Sequence, residues 1–141
     1  MVVRVKLKIK GKNEEITTST LINSGFEAEE PQLIIPLKLA EVLGLTGDET
    51  SIENFETAGG GRVSGYRLEH PIEVELILDD KPPIKTAAHI SILPGETEVI
   101  MSDRLASELG IVILDAWKGY WCLREELGAK QRRSVQAEEW E

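Results

Sequence analysis

Residues 20–26 read Thr20-Leu21-Ile22-Asn23-Ser24-Gly25-Phe26, a β-branched run that breaks into a small, polar, glycine-containing turn. β-Branched residues suit a pleated strand, whereas Asn, Ser and Gly suit turns closed by local hydrogen bonds. The stretch therefore predicts a strand ending in a tight loop, with Asn23 delivered from a rigid element. Ser24 supplies a hydroxyl that can bond across to a facing loop, and Gly25 lets the backbone turn and approach closely. An Asn-Ser-Gly tripeptide alone is most often an ordinary turn, so the reading depends on what surrounds it.

Upstream, Val3, Val5, Leu7 and Ile9 alternate with Arg4, Lys6, Lys8 and Lys10, the period-2 pattern of a half-buried strand. Gly11-Lys12-Asn13 turns the chain, and residues 14–22 return as the second strand of a hairpin. Downstream of an acidic stretch at 27–30, Gln32-Leu33-Ile34-Ile35 predicts a short strand. Pro36 suits the first position of a helix over 36–44 that stops at Gly44, with Leu37, Ala40, Val42 and Leu43 on its buried face.

Residues 51–57 and 62–68 predict two strands joined by the tip Ala58-Gly59-Gly60-Gly61, which can adopt positive φ and move easily. Residues 72–78 alternate again, with Ile72, Val74, Leu76 and Leu78 on one face. Glu73 and Glu75 on the other are expected to meet N-terminal lysines across the sheet. Turns at 79–83 and 93–96 bound a strand at 84–92, and a short strand at 97–101 precedes a helix over 103–109 capped by Ser102. A hairpin of 111–114 and 119–124 turns around Asp115-Ala116-Trp117-Lys118. The sum is about eight strands and two short helices, followed by a charged segment, 125–141, expected to be a frayed helix or disordered.

Composition bounds the function. The 141 residues fit one domain, and 41% are apolar, enough for a real core. Twenty-five acidic against 16 basic residues give a net charge of −9, which argues against nucleic acid or an anionic membrane as the main partner. A single cysteine, Cys122, precludes an internal disulfide, and His70 and His89 are too far apart for zinc-ligand spacing. No Gly-x-Gly-x-x-Gly or Walker pattern is present. Neither a signal peptide nor a transmembrane stretch is expected, and a reducing, cytoplasmic location fits best. The Lys-, Glu- and Ile-rich, Gln-poor composition suits a thermophilic source.

Asp79, Asp80, Asp103 and Asp115 all fall at turns or helix starts, where capping accounts for an aspartate. Cys122 reads as a small packed hydrophobe, the two histidines as surface or packed residues, and Trp117, Tyr120 and Trp121 as core or interface.

Taken together, the turn at 23–25, the glycine-rich hairpin tip, and the later pair of apolar strand and helix resemble the retropepsin-like aspartic proteases of clan AA. The segments LIIPLKLAEVLGL and VIMSDRLASELGIVILDAWKGYW are similar to those of archaeal and bacterial members, and the likeness spans about residues 2–124. The resemblance implies an all-β fold with two short helices, an acid-protease barrel over 1–124 supplying one half-site per chain. It implies a homodimer that takes an extended peptide or protein substrate beneath two flaps, without cofactor or metal.

Carried over residue by residue, Asn23 stands at the family's catalytic aspartate, and Ser24 and Gly25 complete that motif. Phe26 and the flap tip Ala58, Gly59, Gly60, Gly61 and Arg62 fall at substrate-binding positions, and 99–101 form the strand supporting the loop. The family needs two carboxylates sharing one proton, one activating water while the other polarises the scissile carbonyl. Asparagine keeps the shape but neither takes a proton from water nor carries the shared one. The resemblance thus implies a chain that binds without cutting, either a replaced aspartate in a protease or a natural peptide-binding module on the same fold. A β-barrel serving assembly alone is the bland alternative.

Overall fold

The structure is a computed structural model that describes residues 2–23, 25–47, 50–56 and 59–141. The chain is mostly β, organised as a closed six-strand barrel with two short helices. The alternating N-terminal stretch forms β1 (Arg4–Lys10), which pairs antiparallel with β2 (Glu15–Ile22). Val3, Val5, Leu7 and Ile9 are all within 1% of complete burial, as the period-2 pattern requires. β3 (Gln32–Ile35) follows the Asn23 turn and is buried on both faces.

The barrel continues through β6 (Ile72–Leu76), β7 (Ile84–Ile92) and β8 (Val99–Met101). It closes in the order β3-β8-β2-β1-β6-β7, with β7 returning to β3 in parallel register. β4 (Thr50–Glu56) and β5 (Arg62–Leu68) form a long hairpin whose strand pairing to the barrel sets Tyr66 and Arg67 of β5 against Ile92 and Ser91 of β7. Along the β1–β6 seam Lys8 faces Glu75, and Lys10 holds both Glu73 at 2.5 Å and Glu75 at 2.8 Å. The expected lysine to glutamate pairing is therefore present. These bonds raise the Lys10 pKa and lower that of Glu75.

Helix α1 (Leu37–Leu43) packs Leu39, Ala40 and Leu43 into the core, while Leu37 is exposed and Val42 half-buried. Pro36 sits one position earlier than expected, as the extended N-cap, and Gly44 ends the helix in the left-handed region at φ 77°. Helix α2 (Asp103–Glu108) is capped as expected, Ser102 Oγ accepting from Leu105 N at 3.2 Å. β9 (Ile111–Asp115) and β10 (Tyr120–Leu123) form the last hairpin, turned by Asp115 Oδ1 accepting from Trp117 N and Lys118 N. Trp121 and Cys122 are buried there, whereas Trp117 lies exposed at the turn.

The segment after residue 124 departs from the expected frayed helix or disordered tail. A 3-10 turn (Arg124–Glu126) leads to β11 (Arg132–Arg133), which adds to β10, so the strands number eleven among the described residues rather than about eight. A nearly dry ion pair fixes it. Glu126 accepts from Arg132 Nε at 2.9 Å and Nη2 at 2.8 Å, from Lys81 Nζ at 2.8 Å and from Leu123 N at 2.9 Å. Arg132 also forks onto Asp80 and lies over the Trp121 ring at 5.6 Å.

Further along, Ser134 Oγ accepts from Arg4 N, and Val135 N donates to Arg4 O. Trp140 Nε1 then donates to Thr18 Oγ1 at 3.0 Å. Few apolar residues mark this segment in sequence because polar bonds to the barrel hold it there.

Candidate functional site

β8 lies between the strands that flank the Asn23 loop, parallel to β2 and antiparallel to β3. The chain leaving β2 must therefore cross the end of β8 before descending β3, and backbone bonds stitch the crossing. Asn23 N donates to Met101 O at 3.2 Å, Ser102 N to Gln32 O at 3.0 Å and Asp103 N to Phe26 O at 3.0 Å. Ser102, fully buried, also accepts from Gln32 N at 3.1 Å, so one hydroxyl serves the loop's return strand and the α2 cap together.

The turn itself is closed by Phe26 N donating to Asn23 O at 2.9 Å and by Gly25 N donating to Asn23 Oδ1 at 3.0 Å. The side chain of Asn23 is thereby held in one orientation while remaining exposed.

Asn23, Gly25 and Phe26 lie on the floor of an open groove of about 1440 Å³. Its opposite wall is the stem of the β4–β5 hairpin, and the turn at 93–96 closes one end. Phe26 meets Phe55 of β4 edge-to-face, ring centres 6.3 Å apart and planes at 81°, joining the loop to the hairpin. The tip residues Gly59, Gly60, Gly61 and Arg62 are exposed and stand outside the groove lining, which comes instead from Glu53, Asn54, Phe55, Glu56, Val63 and Arg67. Ser24 and Ala58 lie outside the described residues.

A polar network that sequence reading missed fastens the hairpin base to the barrel. Gln32 Nε2 donates to Ser91 Oγ at 2.7 Å and Glu53 Oε1 at 3.0 Å, and Ser91 Oγ donates to Glu53 Oε1 at 2.5 Å. Arg67 of β5 pairs with Glu30 and lies 3.7 Å from Glu53, while His89 Nε2 sits 3.2 Å from Glu30. The sequence hinted at it through two polar residues, Gln32 opening the apolar run of β3 and Ser91 set between Ile90 and Ile92 in β7.

Asp103, at the start of α2, does not line the groove. Its pKa is raised, first by burial and then by the nearby Glu27 carboxylate. Cys122 is fully buried, and burial raises its thiol pKa. Among the described residues no three His, Cys, Asp or Glu side chains gather as a metal-holding group, and no helix is long and apolar enough to cross a membrane.

No family model matches the chain, and no curated protein matches it significantly.

Proposed function

We propose that the chain is one half of a retropepsin-like aspartic endopeptidase, a homodimer in which Asn23 occupies the position of the catalytic carboxylate. The observation that carries the reading is the Asn23 turn: a side chain held at the end of a barrel strand, stitched across β8 and presented to a groove beneath the β4–β5 hairpin. The groove, at about 1440 Å³, is roomy enough for a peptide segment. β4, which pairs only with β5 among the described residues, offers a strand edge for main-chain bonding.

One chain supplies one such turn, so a two-carboxylate site requires a second copy related by a twofold axis. With Asn23 in both copies, neither side chain can deprotonate the attacking water, and the dimer binds peptide without hydrolysing it. An aspartate at 23 in each copy restores a pair that cannot both ionise, so activity falls in the acid range.

Asn23 itself favours a second reading, a dimeric peptide- or protein-binding module that uses the same groove. Cleavage of an unfolded protein between about pH 3 and 7, by this chain and by Asn23→Asp in parallel, separates the two. Cleavage by the Asp form alone, blocked by a transition-state-mimicking inhibitor, supports the protease. A folded dimer that cleaves in neither form supports the binding module.

A further inference from the structure

We infer that the groove selects extended peptide segments carrying lysine or arginine side chains, received by Glu27, Glu29, Glu56 and Glu96. This rests on the peptide-groove reading above and names its substrate class. Six carboxylates line the groove, those of Glu27, Glu29, Glu30, Glu53, Glu56 and Glu96, against one guanidinium, that of Arg67. Arg67 is already committed to Glu30 and Glu53, and Glu53 is further occupied by Gln32 and Ser91. No ion pair to a described residue engages the remaining four.

Those four come from three separate elements. Glu27 and Glu29 follow the Asn23 turn, Glu56 ends β4, and Glu96 belongs to the turn after β7. They converge on a single concavity, where a low-dielectric wall focuses the field. On the barrel wall, by contrast, Lys10 matches Glu73 and Glu75, and Lys81, Lys130 and Arg132 match Asp80 and Glu126. The raised pKa of Asp103, partly caused by Glu27, agrees with uncompensated negative charge beside the turn.

The groove lining between the carboxylates includes the apolar side chains of Phe26, Ile34, Phe55, Leu93 and Ile100. An extended chain alternates its side chains, so apolar residues can face these side chains while the long stems of lysine or arginine reach the rim.

The test uses the full chain as it stands and three fluorescein-labelled decapeptides of one alternating valine pattern, carrying lysine, serine or glutamate at the other positions. Fluorescence anisotropy should show the lysine peptide binding roughly ten-fold tighter than the serine peptide at low salt, with the glutamate peptide weakest. The advantage should shrink to about two-fold at roughly 0.5 M salt.

Replacing Glu27, Glu29, Glu56 and Glu96 together by Gln should abolish the preference. The same change in charge at Glu69, Glu138, Glu139 and Glu141, all exposed and outside the groove, should preserve it. Equal binding of the lysine and serine peptides overturns the inference and leaves the peptide groove standing, as does a preference that survives the groove substitutions. Failure of all three peptides to bind a folded chain overturns both.

Discussion

Replacing Glu126 tests why the C-terminal segment is ordered and whether the fold withstands the acid in which a carboxylate pair would work. The Glu126 side chain is 5% exposed and that of Arg132 10%, so the pair is nearly dry. Removing one member of such a pair costs about 3–5 kcal/mol, because the survivor is left buried and uncompensated. Here Asp80 still holds Arg132 and Lys81 can turn to water, which puts Glu126→Ala at the lower end, about 3 kcal/mol. Part of that loss is the Leu123 amide, a buried donor left without its acceptor. For a chain of this length about 3 kcal/mol corresponds to a melting temperature lower by roughly 10 °C. Glu126→Gln keeps the shape and the acceptor for Leu123, and should cost about half as much.

The sign of the pH dependence follows from the Glu126 pKa. Bonding to Arg132, then to Lys81 and the Leu123 amide, holds it far below its ordinary 4.5, against the opposing effect of burial. Its stabilisation is therefore fully present above about pH 4.5 and is lost as pH falls toward the folded value. Asp80, lowered to about 2 chiefly by Arg132 and then Lys130, acts with the same sign. Thermal melts of the parent chain and Glu126→Gln should differ by a constant interval from pH 7 to about pH 5, and the interval should narrow progressively as pH falls below about 4.5. A loss under about 1 kcal/mol for Glu126→Ala at pH 7, or an interval that does not narrow in acid, refutes the reasoning.

Three further outcomes are expected. Gly65→Ala places a Cβ 2.8 Å from the Ile92 carbonyl oxygen, where β5 joins β7; it should destabilise by about 1–3 kcal/mol in chemical denaturation and weaken peptide binding, and unchanged values would show the hairpin base to be slack. Trp140→Ala removes the indole packed on the barrel core and leaves the buried Thr18 hydroxyl without that donor, so a loss of about 2–3 kcal/mol is expected, and under 0.5 kcal/mol would detach residues 134–141 from the stability of the fold. Cys122 should resist a thiol reagent at pH 8 in the native state and react at once in denaturant, because burial both blocks it and raises its pKa; rapid native labelling would contradict the packing around β10.

The barrel strands were legible wherever one face is buried and the other wet, as in β1, where each lysine or arginine is a phase marker for the next apolar residue. Fully buried β3 was legible for a different reason, a short apolar run between the acidic stretch at 27–30 and Pro36. The Asn23 turn was readable because its closure is local, within two residues. What could not be read is non-local. Gln32 bonds to Ser91 across 59 positions and Glu53 across 21, and Arg132 reaches Asp80 across 52, distances over which no periodicity carries information. The groove wall draws, on the same grounds, on residues that the sequence did not single out. Glycines mark a hairpin tip in sequence, but the stem, through Phe55 and Arg67, meets the Asn23 loop.

Charge, more than architecture, separates the two proposed readings. The Gly25 amide donates to Asn23 Oδ1 and would donate equally to an aspartate oxygen there, favouring its ionised form. A second such carboxylate across a twofold axis opposes ionisation of both, so the pair would keep one proton through the acid range. Asparagine takes the same bond at the same shape, with neither the charge nor the proton. The backbone stitching through Met101, Gln32 and Phe26 involves no side chain of residue 23, so it is indifferent to the exchange. On the proposed readings, a groove rimmed by unmatched glutamates would hold a cationic peptide with either residue at 23, and only the proton-carrying group at that one position would decide whether the peptide leaves whole.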